Sequence, residues 1–416
     1  MKNFTYPHFL DEIFMALEQN GIRAVLVGGY VRDFFLSLPS KDIDIELYHA
    51  SSLEQITKLL QKFATPNSVG KNFAVIKLHY KGYNLDFSLP RRDNKVAKGH
   101  KGFEIVIDAE LNFSEASKRR DFTINAVGYD VIEKKILDPH GGLKDLQNKR
   151  LRAVDLQSFS EDPLRLLRAV GFASRFLFEI EEQLFALMQT MVAKKQLHEL
   201  PKERVFEELK KILLKAKRPS IAFRLLKKLH CSAFGFDLLF GLEEKKFLQT
   251  LTSLDNFAAM PKEKLSSQEH LEIMFALLVK ELQKPQDFIT QLTTNKQLQK
   301  SVLTLHSLHF DLDDLSDYAI YKLATQVNIR HYLLYLKALY PADKKITELE
   351  KRAKELGVYE RALEPLVGGD DLIKLGYKPS KAFKEILKEL YEKQLREGID
   401  KKEKLLNLLV KHSSCT

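Results

Sequence analysis

The hydrophobic pattern of this chain changes period once, near residue 150, and that change limits what the chain can fold into. Before it, short alternating segments such as "DIDIELY" and "YNLDFSLP" are interleaved with short helical patterns. A period of two sends successive side chains to opposite faces of a strand, whereas a period of 3.6 marks one face of a helix. After Arg150 the alternation nearly vanishes, and segments such as "EEQLFALMQTMVAKKQ" and "PKERVFEELKKILLKA" follow one another with short connections. The chain therefore reads as α+β, with a mixed-sheet head over 1–150 and an all-α remainder. At 416 residues it exceeds one ordinary domain, and the helical part is expected to divide into 151–215, 216–345 and 346–416.

Within the head, Phe9 to Leu17 read as a helix closed by Gly21, and "IRAVLVGG" as an apolar strand running into a turn. "YVRDFFLSL" and "SLEQITKLLQKF" read as helices. "FAVIKLHY" and "YNLDFSLP" form a hairpin across Lys81-Gly82, and "VGYDVIEKKILDP" forms a second. The basic stretch 91–102 is expected to be a loop, with Gly99 and Gly102 as hinges.

Composition narrows the function classes. Hydrophobic residues make up 44% of the chain, enough for sizeable cores. The net charge of +10 comes from 66 bases against 56 acids, so a polyanionic partner would need a local basic surface. The two cysteines, Cys231 and Cys415, are far apart and form no CxxC, which argues against a thiolate zinc site or a disulfide framework. The start of the chain has no signal-peptide core, and the apolar run "IMFALLV" is too short to span a membrane. A cytoplasmic protein without membrane contact is expected.

Asp42 and Asp44 stand two apart in a strand, so both carboxylates leave one face while Ile43 and Ile45 point to a core. Two like charges on one face are most simply stabilised by a divalent cation, and oxygen ligands favour Mg²⁺. Two such ions could activate a hydroxyl and neutralise a leaving pyrophosphate. Gly28 and Gly29 lie between strand and helix, where backbone N–H groups can face an anion. Arg32, one turn on, can fork onto a phosphate. Each feature alone also fits a plain turn or a solvated strand face; together they fit nucleotidyl transfer from a nucleoside triphosphate. Asp86, on the strand expected beside the first, is a further ligand, an orienting group or a plain strand residue.

With these residues in view, the chain resembles the tRNA nucleotidyltransferase/poly(A) polymerase family of the bacterial and eukaryotic class. "VGGYVRDFFLSLPSKDIDI", "KRRDFTINAVGYD", "LDPHGGLKDL" and "EDPLRLLRAVGFASRF" look like its first four motifs, in order and at its spacing. "LVGGDDLIKLGYKPSKAFKEILKELYEKQL" is similar, less specifically, to its C-terminal segment. The resemblance implies a polymerase-β-like head, a nucleotide-selecting neck over 151–215 and tRNA-binding helices over 216–345 and 346–416.

It also implies residue roles. Asp42 and Asp44 would bind the catalytic metals, and Gly28, Gly29 and Arg32 the triphosphate. Arg120 and Asp121 would meet phosphate and ribose. Asp162 and Arg165 would read the incoming base, with Arg168 in support. The residues themselves leave open that Asp162 is an ordinary helix cap with a surface ion pair, since Glu161 or Asp162 starts a helix with Pro163 in its first turn. Gly171 stands where the family often has arginine, with Arg175 one turn further on.

The resemblance implies addition of CCA to tRNA from CTP and ATP, with A-only or CC-only addition, poly(A) polymerase and an inactive tRNA-binding protein as the alternatives. The expected loop at 91–102 favours full CCA addition. None of the twelve histidines precedes an aspartate, so no appended His-Asp phosphohydrolase is expected. Between Pro201 and His230 ten Lys/Arg stand against three Glu, a pattern suited to gripping RNA phosphates or simply to a solvated helix.

Overall fold

The chain opens with α1 (Asp11–Glu18), β1 (Arg23–Val27), α2 (Gly29–Phe35), β2 (Asp42–Tyr48) and α3 (Leu53–Leu60). Next come β3 (Asn67–Val69), β4 (Val75–Tyr80), β5 (Tyr83–Ser88), β6 (Arg91–Lys95), β7 (Phe103–Ile107), α4 (Phe113–Ser117), β8 (Gly128–Asp130), β9 (Lys135–Leu137) and α5 (Gly142–Gln147). The computed structural model describes residues 3–69, 75–95, 103–108, 110–261 and 265–413. Seven strands form one mixed sheet in the order β3-β4-β5-β2-β1-β8-β9. β2 runs antiparallel to β1 and parallel to β5, with Asp44 opposite Val27 on one side and Asp86 on the other.

The period-two pattern of β2 sorts its side chains. Ile43, Ile45 and Leu47 are fully buried with Leu26, Leu85 and Phe87 against Ile13 and Leu17 of α1, Val31 of α2 and Ile56 of α3. Burying each such side chain contributes about 1.5–3 kcal/mol. The opposite face carries Asp42, Asp44 and Glu46. Beside them Val25, Val27 and Tyr48 pack on Phe113 and Ala116 of α4. The strand thus spends one face on stability and leaves the other for polar groups.

The expected loop at 91–102 is corrected in part. Residues 91–95 and 103–107 pair antiparallel as a separate two-stranded ribbon, β6 with β7. The charged "RRDNK" has no alternation to announce a strand, because backbone pairing holds it and Val106 and Ile107 of its partner are exposed. The hinges at Gly99 and Gly102 lie outside the described residues.

The head leads through β10 (Arg150–Leu151), α6 (Leu156–Glu161), α7 (Leu164–Phe176), β11 (Glu179–Ile180), α8 (Glu182–Ala193), α9 (Lys202–Lys215) and α10 (Pro219–Lys228) to α11 (Phe236–Phe240). α7 packs on both α9 and α10. The sheet and these elements up to the start of α11 make one compact unit, 1–237; 238–416 make a second.

The second unit contains α12 (Glu244–Ala259), α13 (Ser267–Val279), α14 (Pro285–Leu292), α15 (Lys296–Ser307), α16 (Asp317–Gln326), α17 (Ile329–Leu339), α18 (Lys344–Glu355), α19 (Gly369–Lys374), α20 (Lys381–Glu397) and α21 (Lys402–Ser413). α13 is buried nearly all round and packs on α12, α15 and α17, as a helix apolar on every face must. Its N-terminus is fixed by a capping box between Ser266 and Glu269.

Candidate active site

The turn after β1 decides where the site can form. Gly28 has φ +71°, a region glycine enters without strain. A Cβ there would lie 3.1 Å from both Arg120 Nη1 and Asp44 Oδ2. The absent side chain therefore lets an aspartate of β2 and an arginine of the "KRRDF" segment approach the same stretch of backbone.

A cavity of about 460 Å³ opens at this point. It gathers nine of the ten residues singled out in the sequence: Gly28, Gly29, Arg32, Asp44, Arg120, Asp121, Asp162, Arg165 and Arg168. Asp42, the tenth, is on the same strand face but does not line the cavity; its Oδ1 accepts a 2.8 Å hydrogen bond from Asn84 Nδ2. Asp86 lies beside Asp44 across the parallel pair and is ion-paired to Lys77 at 3.1 Å.

Asp44 is open to the cavity, yet desolvation pushes its carboxyl above the usual aspartate range. Arg120 opposes that rise, while Asp86 and Asp42 reinforce it. Burial and the two neighbouring carboxylates thus outweigh Arg120 and disfavour the ionised form.

Each arginine has its own support. Arg32 is buried; it donates from Nε to Asp33 at 2.8 Å and from Nη1 to Asn125 at 2.6 Å. Its guanidinium stacks over Phe172 at 5.2 Å and Phe176 at 4.9 Å. Those two rings, one helical turn apart on α7, also carry Arg168 over Phe172 and Arg175 over Phe176. Arg168 donates to Asp121 Oδ2 through Nε at 2.7 Å. Asp121 Oδ1 accepts from the Phe122 N–H and from Asn125, so both of its oxygens already have donors. Burial works to raise the Asp121 carboxyl, but Arg168 and Asn125 prevail and hold it below the usual range.

The fourth motif is more finely divided than its sequence suggests. Glu161 ends α6 rather than starting a helix; the chain then turns at an extended Asp162, and Pro163 enters the helical region ahead of α7. Asp162 Oδ1 accepts from the Leu164 N–H at 3.1 Å, as a capping side chain does. Its other oxygen faces Arg204 Nη2 of α9 at 3.5 Å. The Arg165 guanidinium is engaged elsewhere than at Asp162. It donates to the Ser158 carbonyl at 3.0 Å and to the Arg119 carbonyl at 2.7 Å.

Four supporting residues escaped sequence reasoning. Glu46 is fully buried, accepts from Arg119 Nη2 at 2.8 Å and from the Tyr48 hydroxyl at 3.3 Å, and lies 3.7 Å from Arg120 Nη2. Its signal was available, since it continues the alternation of Asp42 and Asp44. Asn125 and Arg204 had none, because only folding brings them to the cavity. Asp145, in the third motif, accepts from Thr123 Oγ1 at 2.6 Å and Arg152 Nε at 3.0 Å, bracing the segment that bears Arg120.

The family described as "Poly A polymerase head domain" matches residues 24–152, and "Probable RNA and SrmB- binding site of polymerase A" matches 177–236. The Multifunctional CCA protein of Neisseria gonorrhoeae (strain NCCP11945) is 39% identical over 229 residues, 54% of this chain and 53% of that protein. The chain thus spans about half the length of that curated relative. The Multifunctional CCA protein of Haemophilus ducreyi is 35% identical over 318 residues, 74% of each chain. Among solved structures, the Bacillus stearothermophilus CCA-adding enzyme in complex with CTP has TM-score 0.73 at 21% identity, covering 99% of this chain and 100% of its own. The Thermotoga maritima CCA-adding enzyme complexed with tRNA has TM-score 0.65 at 21% identity, over 98% and 96%. At these identities the structures speak for a shared fold, an α+β nucleotidyltransferase head followed by helices. With the head domain matched and a relative aligned over three quarters of its length, the chain belongs to the tRNA nucleotidyltransferase/poly(A) polymerase family.

Proposed function

We propose that this protein adds CCA to the 3′ end of tRNA, using CTP and ATP and releasing pyrophosphate. The observation that carries this reading is the single cavity into which residues of three separated sequence motifs converge. The terminal hydroxyl oxygen of tRNA would attack the α-phosphorus; a new P–O bond forms, the bond to the pyrophosphate oxygen breaks, and the hydroxyl proton passes to solvent.

Nucleotidyltransferases work with divalent cations, and we assign Mg²⁺ here. The donor set fits: Asp42 and Asp44 share a strand face, and burial with the Asp42 and Asp86 charges disfavours an ionised Asp44 that a bound cation would stabilise. Among the described residues no three acidic, histidine or cysteine side chains converge as a complete metal cage. Two protein carboxylates with phosphate oxygens and water as the remaining ligands suit Mg²⁺. When bound, the ion would supply charge neutralisation at the reacting phosphate. Asp86, held by Lys77, would help set the Asp44 carboxylate.

Arg120 is poised for phosphate: its Nε is buried without a hydrogen-bond partner, while its Nη2 faces Glu46. Gly28 and Gly29 would leave room for the triphosphate beside it, and Arg32 would close its far end. Asp121 would act on the ribose side mainly through Arg168, whose guanidinium it fixes. Asp162 and Arg165 would select the base. Cytosine and adenine both offer an amino group beside an unprotonated ring nitrogen, matching a carboxylate acceptor and a guanidinium donor. Uracil and guanine offer the reverse, leaving mismatched groups that cost roughly 1–3 kcal/mol each.

The helical neck over 151–215 would serve this selection, and the helices over 216–345 and 346–416 would hold tRNA. No described helix is long and apolar enough to cross a membrane, and the proposed substrates place the protein in the cytoplasm. The test is incubation with tRNA ending at its discriminator base, with CTP alone, ATP alone or both, followed by sequencing of the 3′ ends. CCA ends with both nucleotides are expected; ends carrying only A, only CC or a long A tail would refute the assignment.

A further inference from the structure

A second cavity, of about 180 Å³, adjoins the first and shares Arg32 and Arg168 with it. It is too small for a base and ribose, since pockets for larger ligands run from about 300 Å³. Its walls add Arg175, Lys211 and Lys215, so five cations surround it. Three carboxylates answer them: Asp33 faces both Arg32 at 2.6 Å and Arg175 at 3.8 Å, Asp121 pairs with Arg168, and Glu208 pairs with Lys211 at 2.7 Å. Lys215 has no ion pair among the described residues. The imbalance is two positive charges. Burial pushes the Arg175 guanidinium below its usual range, Asp33 opposes that fall and Arg32 adds to it.

Gly171 forms part of the wall of this space. A Cβ at Gly171 would meet Ile212 at 3.4 Å, ordinary contact, so the helix does not require glycine here; a longer side chain would occupy the opening. The order of groups along the floor gives the cavity a direction. Asp44 Oδ2 lies 3.1 Å from where a Cβ of Gly28 would stand, Arg32 Nη2 lies 3.5 Å from the corresponding point at Gly29, and Arg32 lines the second cavity as well. A polyphosphate whose α-phosphorus sits at Asp44 and whose tail follows the glycines ends at this doorway.

We propose that the second cavity is a receiving site for inorganic pyrophosphate, the leaving group of the proposed transfer reaction. The inference rests on that reaction for the source of the anion. Its lining is matched to a small, multiply charged phosphate anion rather than to a nucleotide.

The test is calorimetric titration of inorganic pyrophosphate into the full-length, tRNA-free protein, beside filter binding of tRNA. Lys215→Glu is expected to weaken pyrophosphate binding about tenfold, because charge reversal replaces an attraction by a repulsion of similar size. The same variant should leave the KM for CTP within about twofold, since Lys215 does not line the first cavity. Gly171→Met should also weaken pyrophosphate binding by filling the space, and a helix favours methionine over glycine. Unchanged pyrophosphate affinity in Lys215→Glu overturns the proposal. So does a loss confined to tRNA affinity, which would assign the lysine to an RNA phosphate. Titration needs no turnover, so an absence of CMP or AMP incorporation would count against the transfer reaction and not against the anion site.

Discussion

The two compact units bury different chemistry. In 1–237 the buried set includes Arg32, Asp33, Glu46, Asp121, Asp130, Asp145 and Glu208. In 238–416 the buried polar residues, among those described, are Thr250, Ser253, His270, Thr293, Gln299 and Gln394, with no carboxylate, ammonium or guanidinium. Removing a charge from water is expensive unless it is paired and hydrogen-bonded. The first unit bears that expense around its cavity, where Glu46, Asp33 and Asp121 each hold an arginine in place. The second holds itself together as ordinary helical proteins do, with apolar seams inside and ion pairs such as Lys337–Glu350 nearer the surface. Interior charge in this molecule, among the described residues, is confined to the unit that holds the cavity, and much of it there fixes arginines.

The largest expected effect breaks chemistry without breaking the fold. Asp42→Ala and Asp44→Ala should each lower nucleotide incorporation by a factor on the order of 10² to 10³ or more, because transition-state charge is no longer neutralised. Gel-shift affinity for tRNA should persist in both. Asp44→Asn sharpens the contrast. A carboxyl raised above its unfolded value adds stability only while protonated and loses it as pH rises through the raised value. At pH 7 without divalent cation, Asp44→Asn should therefore melt no lower than the wild type. Added Mg²⁺ should raise the melting temperature of the wild type and leave that of the variant unchanged.

Next is a direct comparison of interiors. Glu46→Ala leaves two arginines facing an uncompensated gap and should destabilise the first unit by about 3–5 kcal/mol. In the second unit Gln394 donates to the Glu364 carbonyl and accepts from the Leu366 N–H, both at 2.9 Å. Gln394→Ala should cost about 1–3 kcal/mol. Calorimetric unfolding of the two variants measures both; equal losses would remove the distinction between the units.

Asp162→Ala should act on selectivity more than on rate. Discrimination against UTP and GTP should fall by about 10- to 100-fold, the worth of one mismatched polar group. Kinetics with all four nucleotides check this, and a proportional loss with every nucleotide would reduce Asp162 to a helix cap. The smallest effect is electrostatic: substituting one exposed lysine of 201–230, such as Lys217→Ala, should lower the log–log salt slope of tRNA binding by no more than about one.

The sequence made the sheet readable because β2 needs only its own alternation to separate Ile43 and Ile45 from Asp42 and Asp44. It made most of the cavity readable because the motifs are local strings. What it hid was pairing. The strand character of 91–95 comes from 103–107, and no pattern within "RRDNK" predicts it. Arg204 is one of ten bases between 201 and 230, and its distinction is the 3.5 Å approach to Asp162, 42 residues earlier. The alternation puts Glu46 on the face of Asp42 and Asp44, but its burial depends on Arg119, 73 residues further on. The break between α6 and α7 was obscured by "EDP", which serves as the end of one helix and the start of the next.

Helix α7 carries the base-selecting end of the proposed substrate site and a wall of the second cavity, and that makes it a ruler. Arg165, beside the base-selecting end, and Arg175, in the second cavity, stand on one rod with no break between them. At 1.5 Å per residue they are about 15 Å apart along its axis. The rings of Phe172 and Phe176 fix three guanidiniums against that scale, at marks that cannot slide independently. On the proposed reading a triphosphate would be measured from its base at Arg165 to its last phosphate at Arg32, and the departing pyrophosphate would move one mark further, to Arg175.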